Sequence, residues 1–140
     1  MAQTEATAPF KGANMLVVST FDSAHVALRD FAEYLRAQGV TVRLSPQERS
    51  GFRSEPRSSF LGGKAVASYV VLASSGANSQ LTVTGQVSPT MQMTQSQTAA
   101  IIGGKKDARW AAFRIMETAA VSYANVLPRK KKRLRYIMLP

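Results

Sequence analysis

Apolar side chains recur with two different periods in the first third of the chain. Residues 14–21 are rich in β-branched and apolar side chains, which predicts a strand buried on at least one face. Residues 22–39 carry apolar side chains at helical spacing; they begin at Asp22, a good N-cap, and end at Gly39, where a glycine commonly stops a helix. This region therefore predicts a strand followed by an amphipathic helix.

The middle of the chain has the two-residue period of strands. Residues 40–44 alternate apolar and polar side chains and predict a half-buried strand, with residues 52–56 as a short strand beside it. Residues 64–74 and 79–89 are two longer alternating segments joined by Ser, Gly, Ala and Asn, which is turn chemistry. We expect these two segments to form an antiparallel hairpin.

A second amphipathic helix follows a polar loop. Residues 90–106 are rich in Gln and Thr and end in Gly and Lys, which predicts a loop. Residues 107–128 then carry a broad apolar stripe, with Asp107 as the candidate N-cap and Pro128 as the stop. The expected order is β-α-β-β-β-α.

This order predicts an α+β fold. Strands that follow each other directly form antiparallel sheets, and two amphipathic helices need one apolar face to cover. We expect a two-layer sandwich in which a sheet of four to five strands carries both helices on one face. Residues 14–127 would form this domain, after a flexible lead-in at 1–13 and before a basic tail at 128–140.

The tail supplies most of the excess charge. The 140-residue chain has a net charge of +10, and residues 129–135 hold six of its eighteen basic residues. The other twelve exceed the eight acidic residues by only four. Residues 134–138 also alternate, so they can dock as an edge strand, where basic side chains discourage further pairing.

The chain offers little catalytic chemistry. It has no cysteine, a single histidine, His25, in the first helical turn, and scattered acidic residues. No set of acid, base and nucleophile is recognisable, so we expect neither an enzyme nor a metal or cofactor site. No apolar run is long enough to cross a bilayer.

The second helix is apolar over more than half of its circumference, so part of it could face a partner. We expect a protein partner, a second copy of the chain or an apolar ligand to bind there and at the loop before it. The candidate residues are Met91, Met93, Trp110, Ala111, Ala112 and Ala119.

Nucleic-acid binding is the alternative, because excess Lys and Arg attract phosphate groups. An anionic membrane surface could attract the tail in the same way. The candidate contacts are Arg53, Arg57, Lys105, Lys106, Arg129, Lys130, Lys131, Lys132, Arg133 and Arg135.

The overall pattern resembles a group of small exported domains. The relevant segments are FKGANMLVVST at 10–20 before the first helix, SGFRSEP at 50–56, LTVTGQV at 81–87 and ARWAAFRIMETAA at 108–120. They resemble exported domains of Gram-negative bacteria with a TBP-like or helix-grip-like layout. The resemblance implies a non-catalytic interaction domain of the envelope and assigns no functional residues.

Localisation is predicted in two ways, according to function. The start of the chain, MAQTEATAPF, is typical of a mature exported protein whose signal peptide has been removed. We therefore expect the periplasm or outer envelope. A nucleic-acid-binding domain would instead be cytoplasmic.

Overall fold

A computed structural model describes residues 4–56, 65–74, 79–89, 95–104, 106–126 and 132–140. These residues form seven strands and two helices. In chain order they are β1 (Thr4–Ala6), β2 (Met15–Thr20), α1 (Ala24–Ala37), β3 (Gly51–Arg53), β4 (Val66–Ala73), β5 (Ser79–Ser88), β6 (Gln97–Thr98), α2 (Ala108–Ala124) and β7 (Arg133–Met138).

The strands form one antiparallel sheet in the order β1-β7-β2-β5-β4-β3, and the short β6 pairs with the end of β5. The predicted hairpin is present as β4 and β5, which pair from Val66 opposite Ser88 to Ala73 opposite Leu81. The α+β fold class is thus confirmed. The described strands outnumber the predicted four to five because both ends of the chain and residues 97–98 also join the sheet.

Both helices join a single core with one face of the sheet. Alternate residues of β5 (Leu81, Val83 and Val87) point into this core, which also contains the buried stripes of α1 and α2. The helices contact each other there, and the rings of Phe31 and Tyr123 meet edge to face with centroids 6.1 Å apart. The result is a helix layer on a sheet layer.

The helix ends agree with the capping residues predicted from the sequence, except at the start of α1. Ser23 is the N-cap of α1 and accepts a hydrogen bond from the Val26 amide, so the prediction of Asp22 as the cap is wrong. The α1 helix ends at Ala37, and Gly39 follows its C-cap with a left-handed φ of 87°, as predicted. Asp107 caps α2 as predicted, while Pro128 lies outside the described residues.

The predicted strand at residues 40–44 is absent. Val40 and Val42 are buried, as the alternation indicated. However, the Arg36 side chain donates two hydrogen bonds to the Val42 carbonyl, an acceptor that a neighbouring strand would otherwise use. Part of the predicted partner segment forms β3, which pairs with β4, while the Glu55 amide donates a single backbone hydrogen bond to the Thr41 carbonyl. Burial of alternate residues therefore does not require strand pairing here.

The two ends of the chain are paired with each other. The prediction of a strand at 134–138 is confirmed by β7, but its predicted edge position is wrong because β7 lies between β1 and β2. Residues 4–6, predicted as a lead-in without regular structure, form the edge strand β1. Tyr136 and Ile137 of β7 are buried, so this strand belongs to the folded domain.

Candidate functional site

A cavity of about 270 Å³ lies beside the N-terminal half of α2. We call it the α2 cavity; it is lined by Pro9, Ile101, Trp110, Arg114 and Glu117. The last three are spaced four and three residues apart, which places them on one stripe of the helix. Trp110 is half-buried, so part of its indole remains accessible from the cavity.

The wall opposite α2 is held by backbone hydrogen bonds. The Ile101 amide donates to the Ala13 carbonyl at 2.9 Å, and the Gly12 amide donates to the Ile101 carbonyl at 2.7 Å. These two bonds attach the segment before α2 to the segment between β1 and β2. Pro9 and Ile101 are thereby brought to the same cavity from positions 92 residues apart in sequence.

Glu117 is oriented from the sheet. The Tyr136 hydroxyl of β7 donates to Glu117 Oε2 at 2.7 Å. Burial raises the pKa of Tyr136, and the hydrogen bond to the Glu117 carboxylate raises it further. Tyr136 therefore stays protonated and holds one oxygen of Glu117, which leaves the other oxygen as an acceptor.

Arg114 lies one turn from Trp110 and is exposed. No carboxylate of the described residues lies within ion-pair distance of its guanidinium. The α2 cavity thus combines apolar walls with one unpaired cation and one oriented carboxylate.

A second cavity also borders the start of α2. It measures about 420 Å³ and is lined by Ala65, Val87, Ser88, Pro89, Gln95, Gln97 and Ala108. None of the described residues that line it is charged. Both cavities adjoin the chain segment that leads into α2, which is the region the sequence indicated.

The predicted partner surface is only partly accessible. Trp110 lines the α2 cavity, and Ala111 beside it is half-buried. Ala112 and Ala119 are fully buried, so their assignment to an exposed surface is wrong. Packing of α1 against α2 covers more of the apolar circumference than a sheet alone would. Met91 and Met93 lie outside the described residues.

Lys132 was predicted to contact phosphate but is used inside the fold. Its side chain is only 6% exposed, and its Nζ donates to the Tyr123 carbonyl at 3.2 Å and lies 3.9 Å from the Asp22 carboxylate. The same ammonium lies 4.1 Å from the centre of the Tyr123 ring. Lys132 therefore joins β7 to the end of α2, and its predicted phosphate contact is wrong.

The other predicted basic contacts are dispersed. Arg135 forms an ion pair with Glu5, whereas Arg53, Lys106 and Arg133 are exposed. Arg53 on β3 and Arg133 on β7 are separated by three intervening strands, a distance of roughly 19 Å across the sheet. The remaining candidates, Arg57, Lys105, Arg129, Lys130 and Lys131, lie outside the described residues.

A third cavity lies between α1 and the loop that follows it. It measures about 320 Å³ and is lined by His25, Arg29, Arg36, Leu44, Ser45 and Pro46. Its two arginines already pair with Asp30 and Glu33 on the same helix. Both arginines therefore have a carboxylate partner, whereas Arg114 has none among the described residues.

Three buried tyrosines predict a stability loss at alkaline pH. Burial raises the pKa of Tyr69, Tyr123 and Tyr136 above the value of about 10 that tyrosine has in an unfolded chain. Above that pH the unfolded chain loses these protons and the folded protein keeps them, so stability falls as pH rises. Each tyrosine contributes a slope of about 1.4 kcal/mol per pH unit.

Urea unfolding of the wild type and of Tyr69→Phe between pH 8 and about pH 11 tests this effect. We expect the variant to lose roughly a third of the tyrosine-dependent slope, because one of three groups no longer ionises. Equal slopes in both proteins would contradict the assignment.

The described residues contain no cluster of three or more His, Asp or Glu side chains placed to hold a metal ion. Within the same part of the chain, neither helix has the length and apolarity to cross a membrane.

Comparison of the chain with protein-family models, with curated protein sequences and with solved structures found no significant match.

Proposed function

We propose that this protein is a non-enzymatic binding domain that holds an apolar group of a ligand or protein partner in the α2 cavity. The proposal rests on Trp110, which is half-buried and lines the α2 cavity together with Ile101 and Pro9. Aromatic and apolar walls with a few polar groups are typical of ligand sites.

The free energy that the α2 cavity can provide by burying apolar surface is suited to one small group of a ligand. A bound group that removes about 100 Å² of apolar surface from water gains about 2.5 kcal/mol before the entropy of association is paid. A single apolar group would bind weakly, so strong binding requires a longer ligand that continues beyond the cavity. This favours a recognition role in which the cavity holds one anchoring group.

Trp110 makes the proposal directly testable, because it is the only tryptophan in the chain. Titration with 1-anilinonaphthalene-8-sulfonate, an apolar probe with an anionic group, should quench Trp110 emission and transfer energy to the probe. We expect Ile101→Ala to weaken binding about 5-fold by removing one apolar wall. The matched control is Val121→Ala, which removes an exposed apolar side chain elsewhere on α2.

Both variants should keep the circular dichroism spectrum of the wild type and remain folded at the assay temperature, and Ile101→Ala should have a lower thermal midpoint because Ile101 packs partly against the core. The proposal fails if the probe leaves Trp110 emission unchanged, or if the two variants bind it with the same affinity.

Export to the periplasm or outer envelope is a further part of the proposal and rests on the resemblance to exported bacterial domains. Cell fractionation with an antibody against the native protein tests it. Recovery in the cytoplasmic fraction alone would contradict it.

A further inference from the structure

The α2 cavity is lined by two side chains of opposite charge. Arg114 and Glu117 both line it, yet they form no ion pair among the contacts of the described residues. Residues three apart on a helix have Cβ atoms about 5 to 6 Å apart, so the two groups can contact the same small ligand.

The polar groups have unused hydrogen-bonding capacity. The Arg114 guanidinium carries five N–H donors, and in the described part of the chain none of them has a carboxylate partner. Glu117 uses Oε2 to accept from Tyr136, which leaves Oε1 to accept from a ligand. One acceptor and one donor on a ligand would therefore match this cavity.

The charge arrangement discriminates between ligand classes. A purely apolar ligand would remove water from both charged groups without replacing their hydrogen bonds, which is costly. An anion alone would face the Glu117 carboxylate, and a cation alone would face the Arg114 guanidinium. A ligand with an adjacent acceptor and donor beside an apolar group satisfies all parts of the cavity.

On these grounds, and building on the proposed function, we infer that the α2 cavity recognises an α-amino-acyl unit with an apolar side chain. The carbonyl or carboxylate oxygen accepts from Arg114, and the N–H or ammonium donates to Glu117. The side chain packs between Trp110, Ile101 and Pro9. The unit can belong to a free amino acid or to a peptide.

Two probes of opposite charge test the assignment of the polar groups. N-acetyl-L-leucine retains the carboxylate and L-leucine methyl ester retains the ammonium group. Binding is followed through the ¹H–¹⁵N signal of the indole of Trp110, the only tryptophan. We expect Arg114→Gln to weaken N-acetyl-L-leucine about 10-fold and the methyl ester less, because the carboxylate loses a charged hydrogen bond and the ester carbonyl only a weaker one.

Glu117→Gln should show the reverse pattern, weakening the methyl ester about 10-fold and N-acetyl-L-leucine less, because the ammonium loses a charged hydrogen bond and the amide N–H a weaker one. Its amide oxygen can still accept from Tyr136, so this variant preserves the contact between α2 and β7. Arg49→Gln is the matched control for loss of an arginine charge, since Arg49 is exposed in a loop away from the cavity. We expect the control to bind both probes like the wild type.

Two further probes distinguish a free amino acid from a peptide as the source of the amino-acyl unit. N-acetyl-L-leucine amide presents the peptide form and L-leucine the free amino acid; tighter binding of either one identifies the source and supports the inference. The inference is overturned if Arg114→Gln and Glu117→Gln weaken both charged probes equally, or if neither probe shifts the Trp110 signal. If the naphthalene sulfonate still binds at Trp110 in that case, the proposed function stands and only the amino-acyl assignment fails.

Discussion

A protein ending at Val126 is expected not to fold, although the removed segment looks like a basic tail. The deletion removes β7, which lies between β1 and β2 in the sheet. Tyr136 and Ile137 are buried and Leu134 packs against the core. Burial of each such side chain contributes about 1.5 to 3 kcal/mol, so the loss is comparable with the total stability of a domain, about 5 to 15 kcal/mol.

The expected result is a chain without a cooperative urea transition and with reduced strand signal in circular dichroism. The control is a full-length protein with Arg129, Lys130 and Lys131 all replaced by Gln, which removes charge and preserves β7. We expect this control to unfold cooperatively like the wild type. A cooperative transition of wild-type midpoint in the truncated protein would show that β7 is dispensable.

Replacement of Tyr69 by Ala is expected to cost about 3 to 5 kcal/mol of unfolding free energy, the usual range for an aromatic residue removed from a core. Tyr69 on β4 is only 1% exposed, and its hydroxyl donates to the Ala112 carbonyl of α2 at 2.7 Å. Its ring packs on Gly85 of β5, where an added Cβ would lie 2.9 Å from ring atom Cε1. The ring therefore joins two strands to α2.

Tyr69→Phe is the matched control because it keeps the ring and removes only the hydroxyl. We expect it to cost about 1 kcal/mol, the net value of a typical hydrogen bond. Urea unfolding of both variants measures the difference. If Tyr69→Ala lost less than about 1.5 kcal/mol, the ring would not join the two layers as described.

Local sequence patterns predicted the elements whose chemistry is local. The helical period of residues 22–39, the Asp107 cap and the turn residues between β4 and β5 each act over a few neighbouring positions. The strand predicted at 40–44 is absent because alternation indicates which side chains are buried and not which backbone groups form hydrogen bonds.

The candidate site was only partly predictable for the same reason. Trp110 is prominent as an aromatic side chain on an apolar helix, and the sequence indicated its region. Arg114 and Glu117 look like ordinary polar positions of that helix until Pro9, Ile101 and Tyr136 are brought beside them. Those neighbours come from three separate segments outside α2, and no pattern within α2 could indicate them.

The sequence by itself determined the fold class, the two helices, the central hairpin and the existence of a C-terminal strand. Hydrophobic period, capping residues and turn residues determine these features locally. Only the tertiary structure decided that β7 lies inside the sheet, that Lys132 is an internal contact and that a charged cavity borders Trp110. Each of these depends on contacts between residues far apart in the chain, whose free energy appears only when the strands and helices pack together.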